Sequence, residues 1–144
     1  MRCVAILVGA LTLTACGGHS TPSAENVARA WSAALDRADN AAAAKLFAPS
    51  AIVVQDYELV LRTHADALAW NSALPCGGHI TRVVAQKHDQ VLVVFRLTNR
   101  PGHRCDAPGV DAAAVFRVEH GKIVLWHQTQ PPDEAPPPSG GTPV

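Results

Sequence analysis

AVFRVEHGKIVLWHQ, residues 114–128, is the stretch that decides the fold. Two runs rich in β-branched and aromatic residues flank His120-Gly121, which has the length and the glycine of a two-residue hairpin turn. The first run extends back to Ala112, and the second begins at Lys122. The stretch therefore predicts two antiparallel strands, residues 112–119 and 122–128.

A hairpin without a bulge assigns each of these side chains to one of two faces, because neighbours along a strand point to opposite sides. The pairs predicted on one face are Val118 with Ile123, Phe116 with Leu125, and Ala114 with His127. The pairs predicted on the other face are Val115 with Trp126 and Ala113 with Gln128. If the domain docks onto another protein, this register predicts an exposed apolar patch at Phe116 and Leu125.

The residues before the hairpin predict three helices. The first follows a capping segment at residues 21–23 and has one apolar stripe. The stripe consists of Val27, Ala30, Trp31, Ala34 and Leu35. A second helix is predicted from about Asn40 to Pro49, which stops it. Thr63 with Asp66 three residues later forms a capping box for the third.

Four further segments predict strands. Residues 51–55 and 58–62 are short strands around a turn, and residues 80–86 and 91–98 are rich in β-branched residues and form an antiparallel pair. Helices and short strands followed by long antiparallel strands predict an α+β arrangement.

The chain resembles the SnoaL-like branch of the nuclear transport factor 2-like superfamily from about Ala24 to Gln128. Two segments carry the resemblance beside the hairpin, VARAWSAALDRADNAAAAKLFAPSAIVV and ELVLRTHADALAW. The resemblance implies a cone-shaped α+β fold, with three N-terminal helices packed in a strongly curved, mainly antiparallel sheet. It also implies a pocket at the open end. The superfamily includes isomerases, dehydratases, epoxide hydrolases and binding modules, so the fold alone selects no activity.

Six residues are candidates for lining or bordering this pocket. They are Trp31, Trp70, His79, Arg96, Trp126 and Gln128. In enzymatic relatives a carboxylate commonly sits on the last strand, two residues after a bulky residue, and that place holds Gln128 here. An amide cannot exchange a proton near neutral pH. Arg96 resembles the arginine of the epoxide hydrolases, but the aspartates beside that arginine are missing here.

We therefore expect binding of a small, partly apolar ligand or of a partner protein, with no catalytic residue and no cofactor. An isomerase, cyclase or hydrolase acting on a small apolar substrate is the alternative. The tyrosine of a ketosteroid isomerase would have to be Tyr57, which lies beside Asp56 in a predicted turn. A third interpretation is a protein-interaction module, and a homodimer is one form of it.

The start of the chain predicts export and lipidation. The uncharged run from Val4 to Leu13 is too short to span a bilayer as a helix and has the proportions of a signal-peptide core. Leu13-Thr14-Ala15-Cys16 resembles the bacterial lipobox, which implies diacylglycerol and a further acyl chain such as palmitate on Cys16. We therefore expect a lipid-anchored protein on the extracytoplasmic side of the cell membrane. Simple secretion, with Cys16 as an ordinary residue, is the alternative.

Two cysteines are left for the folded domain. Cys3 is removed with the signal peptide and Cys16 carries lipid, so Cys76 and Cys105 remain. Disulfides persist outside the cytoplasm, and we pair these two. Two free thiols or a metal site are the alternatives, although no CxxC or Cys/His spacing supports a metal.

Composition and charge exclude some classes of function. The formal net charge is +0 and no basic patch is visible, so we expect no binding of nucleic acid. The histidines form neither HxH nor HExxH, so we expect no metal. The predicted organisation is a signal peptide at 1–15, a lipidated spacer at 16–21, one domain at 22–130 and a disordered, Pro/Gly-rich tail at 131–144.

Overall fold

A computed structural model describes residues 20–133. The elements in chain order are α1 (Ala24–Asp36), α2 (Asn40–Lys45), β1 (Phe47–Val54), β2 (Glu58–Leu61), α3 (His64–Ala73), β3 (Gly77–Ala85), β4 (Gln90–Thr98), β5 (Asp111–Glu119) and β6 (Lys122–Thr129). The strands form one sheet in the order β2-β1-β6-β5-β4-β3. Every neighbouring pair is antiparallel except β1 with β6. The predicted α+β fold is confirmed.

The helices pack on one face of this sheet and form the core with it. Trp31 of α1 lies at the centre, where its ring centroid is 5.4 Å from that of Phe116 and 5.9 Å from that of Trp126. The helical stripe is confirmed at four of its five positions. Ala30 is exposed, and Ala28 and Ser32 are buried instead, because the buried face of α1 lies slightly to one side of the predicted stripe.

The second helix is shorter than its composition predicts. It ends at Lys45, and β1 begins at Phe47, so Pro49 lies inside a strand rather than after a helix. The pairing of β1 with β6 shifts register between Phe47 and Ile52, and Ser50 between them has a φ of 62°. A bulge tolerates proline because it leaves a backbone N–H unpaired in any case.

The closing hairpin has a bulge that changes its register. Val118 pairs with Ile123 as predicted, but the register then shifts, and Phe116 pairs with Trp126. The predicted pairing of Phe116 with Leu125 is therefore wrong. Phe116 is fully buried in the core, so the apolar patch predicted there is absent. Docking through another surface, as a homodimer or otherwise, stays a prediction.

The same bulge turns Gln128 toward a different neighbour. Gln128 pairs with Ala114 rather than with Ala113, and Val115 pairs with His127. Because side chains alternate along a strand, Gln128 shares a face of β6 with Trp126, and the bulge places that face with Phe116 and Ala114 instead of with Val115 and Ala113. Phe116 and Ala114 are buried, so Gln128 lies on the inner face of the sheet, beside the core.

The two ends of the sheet differ in what they carry. At one end, which we call the turn end, the chain enters α1, and Pro22 packs against Gly121 of the β5–β6 turn. His120 and Gly121 both have positive φ, as a two-residue hairpin turn requires. At the opposite end α1 finishes beside the start of β3, where the backbone N–H of Gly78 donates to Asp36.

A disulfide joins Cys76 to Cys105, as predicted. It ties the residue before β3 to the loop between β4 and β5, at the end of the sheet away from the turn end. Beyond β6 the carbonyl of Pro132 accepts a hydrogen bond of 2.7 Å from Arg82 of β3. The predicted signal peptide, the lipidation at Cys16 and tail residues 134–144 lie outside the described residues. None of the helices in residues 20–133 combines the length and the apolar character needed to cross a membrane.

Candidate functional site

A cavity of about 280 Å³ lies between α1 and the inner face of the sheet, at the end opposite the turn end. Ligand pockets usually measure about 300–1,000 Å³, so this cavity suits a small molecule. Its lining consists of Trp31, Ser32, Leu35, Gln55, Leu74, Pro75, Cys76, Gly77, Gly78, Phe95, Leu97, Asp106, Ala112, Ala113, Ala114, Trp126 and Gln128.

Aromatic rings form the apolar part of the wall, and a buried amide fixes one of them. The indole N–H of Trp31 donates to Asn71 Oδ1 at 2.8 Å, and Asn71 Nδ2 donates to the carbonyl of Ala67 at 2.8 Å. Asn71 is fully buried, so both ends of its amide are satisfied inside the protein. Trp31 is thereby held in one orientation against Phe95 and Trp126.

Two glutamines supply the neutral polar groups of the wall. Gln55 Nε2 donates to Gln128 Oε1 at 3.3 Å. Gln55 follows the last residue of β1, and β1 runs parallel to β6, so the two side chains meet at the ends of adjacent strands. Gln55 was not among the predicted site residues, because the contact depends on a parallel pairing that a local sequence pattern does not reveal.

Ser32 also lines the cavity, but its hydroxyl has a structural partner. Ser32 Oγ donates to the carbonyl of Gly78 at 2.8 Å, and the N–H of Gly78 donates to Asp36 Oδ1 at 2.8 Å. These bonds attach the last turns of α1 to the start of β3. A Cβ at Gly77 would collide with the carboxylate of Asp36, so a larger residue there would displace that carboxylate from Gly78.

Asp106 is the ionisable residue of this lining. Its Oδ1 lies 3.3 Å from Cys76 Sγ. A disulfide sulfur carries no proton, so this contact is not a hydrogen bond. Cys76, Cys105 and Asp106 place three potential ligand atoms within 4.8 Å of one another. With both sulfurs in the disulfide, neither offers the thiolate that a metal site would need.

Three of the six predicted pocket residues line the cavity, namely Trp31, Trp126 and Gln128. Trp70 packs behind the wall, with its ring centroid 5.1 Å from that of Trp126. His79 and Arg96 are exposed and are not part of the lining.

Strand alternation explains the placement of Arg96. Phe95 faces the core, so Arg96 faces outward, where it forms an ion pair with Asp111 of the adjacent strand at 2.5 Å. Hydrogen bonding to Asp111 raises the pKa of Arg96, and the same contact lowers the pKa of Asp111. Arg96 therefore has a partner on the outer surface and does not meet a ligand in the cavity.

Comparisons with known proteins agree with this architecture. A family model described as the SnoaL-like domain matches residues 28–126. An NTF2-like protein of unknown function from Cytophaga hutchinsonii has a similar structure, with a TM-score of 0.61 and 10% identity over 77% of this chain and 92% of that chain. No curated protein is a significant sequence match.

Two further solved structures have names that suggest enzymes. A candidate polyketide cyclase from Sinorhizobium meliloti gives a TM-score of 0.58 with 18% identity, over 72% of this chain and 93% of that chain. A candidate ketosteroid isomerase from Kribbella flavida gives a TM-score of 0.57 with 20% identity, over 82% of this chain and 88% of that chain. Likeness at such low identity shows the fold and leaves the activity open.

Proposed function

Because this chain belongs to the SnoaL-like domain family, we propose that it binds a small, partly apolar ligand in the cavity and leaves that ligand chemically unchanged. The support for binding is the composition of the wall. Trp31, Phe95 and Trp126 supply apolar surface, and the amides of Gln55 and Gln128 supply a few polar groups. Apolar walls with a small number of placed polar groups are typical of ligand sites.

The proposal that the domain does not catalyse a reaction rests on how few ionisable side chains line the cavity. Among the residues that line the cavity, only Asp106 has an ionisable side chain, because Cys76 is in the disulfide, and Asp106 is exposed. General acid–base catalysis of the kind expected in this family needs a carboxylate or histidine within reach of the reacting atoms. Gln128 occupies the last strand where enzymatic relatives commonly place that group.

Native mass spectrometry in D₂O tests both parts of this proposal. The purified domain is incubated with a library of small amphipathic molecules, and the complexes are detected intact. We expect one-to-one complexes whose ligand is recovered without deuterium at carbon. An isomerase that abstracts a proton from carbon would introduce deuterium from the solvent, so time-dependent incorporation with protein would contradict the proposal.

A cavity-filling variant locates the binding. Ala112 lines the cavity and is half-buried, so Ala112→Trp fills space with little disturbance of the core. We expect this variant to lose the complexes. Ala85→Trp is the matched control, because Ala85 is exposed at the turn end of β3. Equal binding by both variants would place the ligand elsewhere.

An enzyme of the isomerase, cyclase or hydrolase kind is the second candidate. The names of the solved relatives favour it, and Asp106 is a carboxylate at the cavity. In that case Asp106→Asn should abolish deuterium incorporation, whereas Gln128→Ala should leave it nearly intact.

We also propose that Cys16 carries lipid and anchors the domain on the extracytoplasmic side of the membrane. The supports are the lipobox-like residues 13–16 and the disulfide, since disulfides form and persist in oxidising compartments. Globomycin, which blocks cleavage of lipoprotein signals, should cause accumulation of a larger precursor. Cys16→Ser should move the protein out of the membrane fraction. Unchanged size and location would contradict the anchor.

A further inference from the structure

We infer that the cavity selects a ligand with a protonated amine next to an apolar body, in preference to a neutral or anionic ligand of the same shape. This inference rests on the proposed binding function and names the class of ligand. Three observations carry it, namely the isolated carboxylate of Asp106, the aromatic wall and the neutral pair of glutamines.

Asp106 gives the cavity a negative charge that the protein does not neutralise. Within residues 20–133, Asp106 forms no ion pair, although Arg104 is two residues away in the same loop. No lysine, arginine or histidine is part of the lining. A positive ligand would therefore meet an opposite charge, whereas an anionic ligand would meet a like charge with no cation to offset it.

The aromatic wall favours the same class of ligand. Trp31, Phe95 and Trp126 contribute to the lining, and their rings can cover the apolar part of a ligand. An aromatic face also attracts a cation that lies over it, most strongly when the ring is that of tryptophan. An ammonium group between Asp106 and these rings would therefore be attracted to both.

The glutamines leave an acceptor for ammonium protons. Gln55 donates to Gln128 through Nε2. Within residues 20–133 no side chain donates to Gln55 Oε1, so this oxygen can accept a hydrogen bond from a ligand. The amino group of Gln128 can in turn donate to an oxygen of the ligand. A carboxylate in the same place would have neutral amide N–H groups as partners but no cation, and an ion without an opposite charge is costly to remove from water.

Three probes of equal length and different charge test this inference, namely 4-phenylbutylamine, 4-phenylbutanol and 4-phenylbutyrate. Each has a phenyl group and a chain that a cavity of about 280 Å³ can hold. Calorimetry at pH 7 and low ionic strength measures their affinities. Because Asp106 is exposed, we expect the amine to bind about fivefold more tightly than the alcohol, and the carboxylate to bind most weakly. Added salt should reduce the advantage of the amine.

Asp106→Asn should bring the amine to the affinity of the alcohol while leaving the alcohol unchanged. Asp89→Asn is the matched control, because it removes the same charge from the turn between β3 and β4, at the turn end. We expect Asp89→Asn to bind all three probes as the unmodified protein does. Near-ultraviolet circular dichroism checks that both variants keep the aromatic core.

The outcomes separate this inference from the proposal on which it rests. If all three probes bind equally and Ala112→Trp abolishes their binding, the binding function stands and the selection of amines is wrong. Tighter binding of the carboxylate overturns the inference in the same way. If no probe binds the unmodified protein, the cavity is not a site for ligands of this kind, and both proposals fail.

Discussion

Arg100 is a buried charge that holds three helices together. Its guanidinium donates to the carbonyl of Asn71 at 3.2 Å and to the side chain of Asn40, and the carboxylate of Asp36 is close enough to favour its charge. Burial lowers the pKa of Arg100, and the charge of Asp36 acts against that shift. The side chain therefore links the end of α1, the start of α2 and the body of α3.

We expect Arg100→Ala to lower the free energy of unfolding by about 3 kcal/mol, because it leaves a void and deprives buried acceptors of their donor. Urea unfolding followed by tryptophan fluorescence measures the change. Arg104→Ala removes the same side chain from an exposed position in the same loop and should change the stability by less than about 0.5 kcal/mol. Equal midpoints for the two variants would show that Arg100 has no such role.

Two core tryptophans differ in whether their indole N–H has a partner. Trp31 donates to Asn71, whereas Trp126 Nε1 is buried without a hydrogen-bond partner among residues 20–133. Replacement by phenylalanine removes about the same volume at either position. Trp31→Phe also leaves Asn71 Oδ1 unpaired, so we expect it to cost about 1–2 kcal/mol more than Trp126→Phe. Thermal unfolding of the two variants side by side checks this order.

The residues of the site were only partly predictable. Trp31 and Trp126 follow from their places on an amphipathic helix and a core strand. Gln55 and Asp106 depend on contacts between segments far apart in the chain, one across a parallel pairing and one in a loop held by the disulfide. Arg96 was predicted to border the pocket but lies on the outer surface, where it pairs with Asp111. That partner is recognisable only when the register of β4 with β5 is known.

At the scale of the elements, α3 begins with the capping box that the sequence predicts. The side chain of Thr63 accepts from the N–H of Asp66 at 3.1 Å, and Asp66 Oδ2 accepts from the N–H of Thr63 at 2.9 Å. Thr63→Ala should lower the free energy of unfolding by about 1 kcal/mol. Urea unfolding at pH 7 measures this loss, and an unchanged midpoint would contradict the role of the cap.

The same cap predicts a dependence on pH. Hydrogen bonds from Thr63 lower the pKa of Asp66 in the folded protein below its ordinary value. The ionised carboxylate of Asp66 therefore contributes its full stabilisation of the folded protein above the unfolded-state pKa of about 4. That contribution is lost as the pH falls through the lower, folded-state pKa. Unfolding midpoints between pH 6 and pH 2 should fall less steeply for Asp66→Asn than for the unmodified protein. Parallel curves would contradict this assignment.

Bulges mark where element-level prediction from the sequence failed. Propensity and turn chemistry suffice for the number and order of helices and strands. The bulges near Ser50 and between Arg117 and Val118 follow from how strands curve around the helices, which is a property of the whole sheet. A bulge of one residue reverses the faces beyond it, and for that reason Gln128 and Phe116 were assigned to the wrong neighbours.

At the scale of the whole molecule, the disulfide between Cys76 and Cys105 closes a loop that contains β3 and β4. The chain-entropy relation gives about 3.6 kcal/mol for a loop of roughly 30 residues. We expect the double variant Cys76→Ala/Cys105→Ala to lose about that much stability. A reducing agent should lower the unfolding midpoint of the unmodified protein and leave that of the double variant unchanged. A midpoint that is insensitive to reduction would contradict the crosslink.

The contact of Pro22 with Gly121 fixes the start of the domain at the turn end, and it thereby determines how a domain anchored through Cys16 would be oriented. From Cys16 to Ser20 a fully extended chain reaches roughly 14 Å, so the lipid would hold the turn end close to the headgroups. Gln128 lies about 20 Å farther along β6, so the end of the domain that holds the cavity would face away from the membrane. A cargo taken directly from the bilayer would have to cross that gap. An anchored domain would therefore collect dissolved solutes rather than extract lipids.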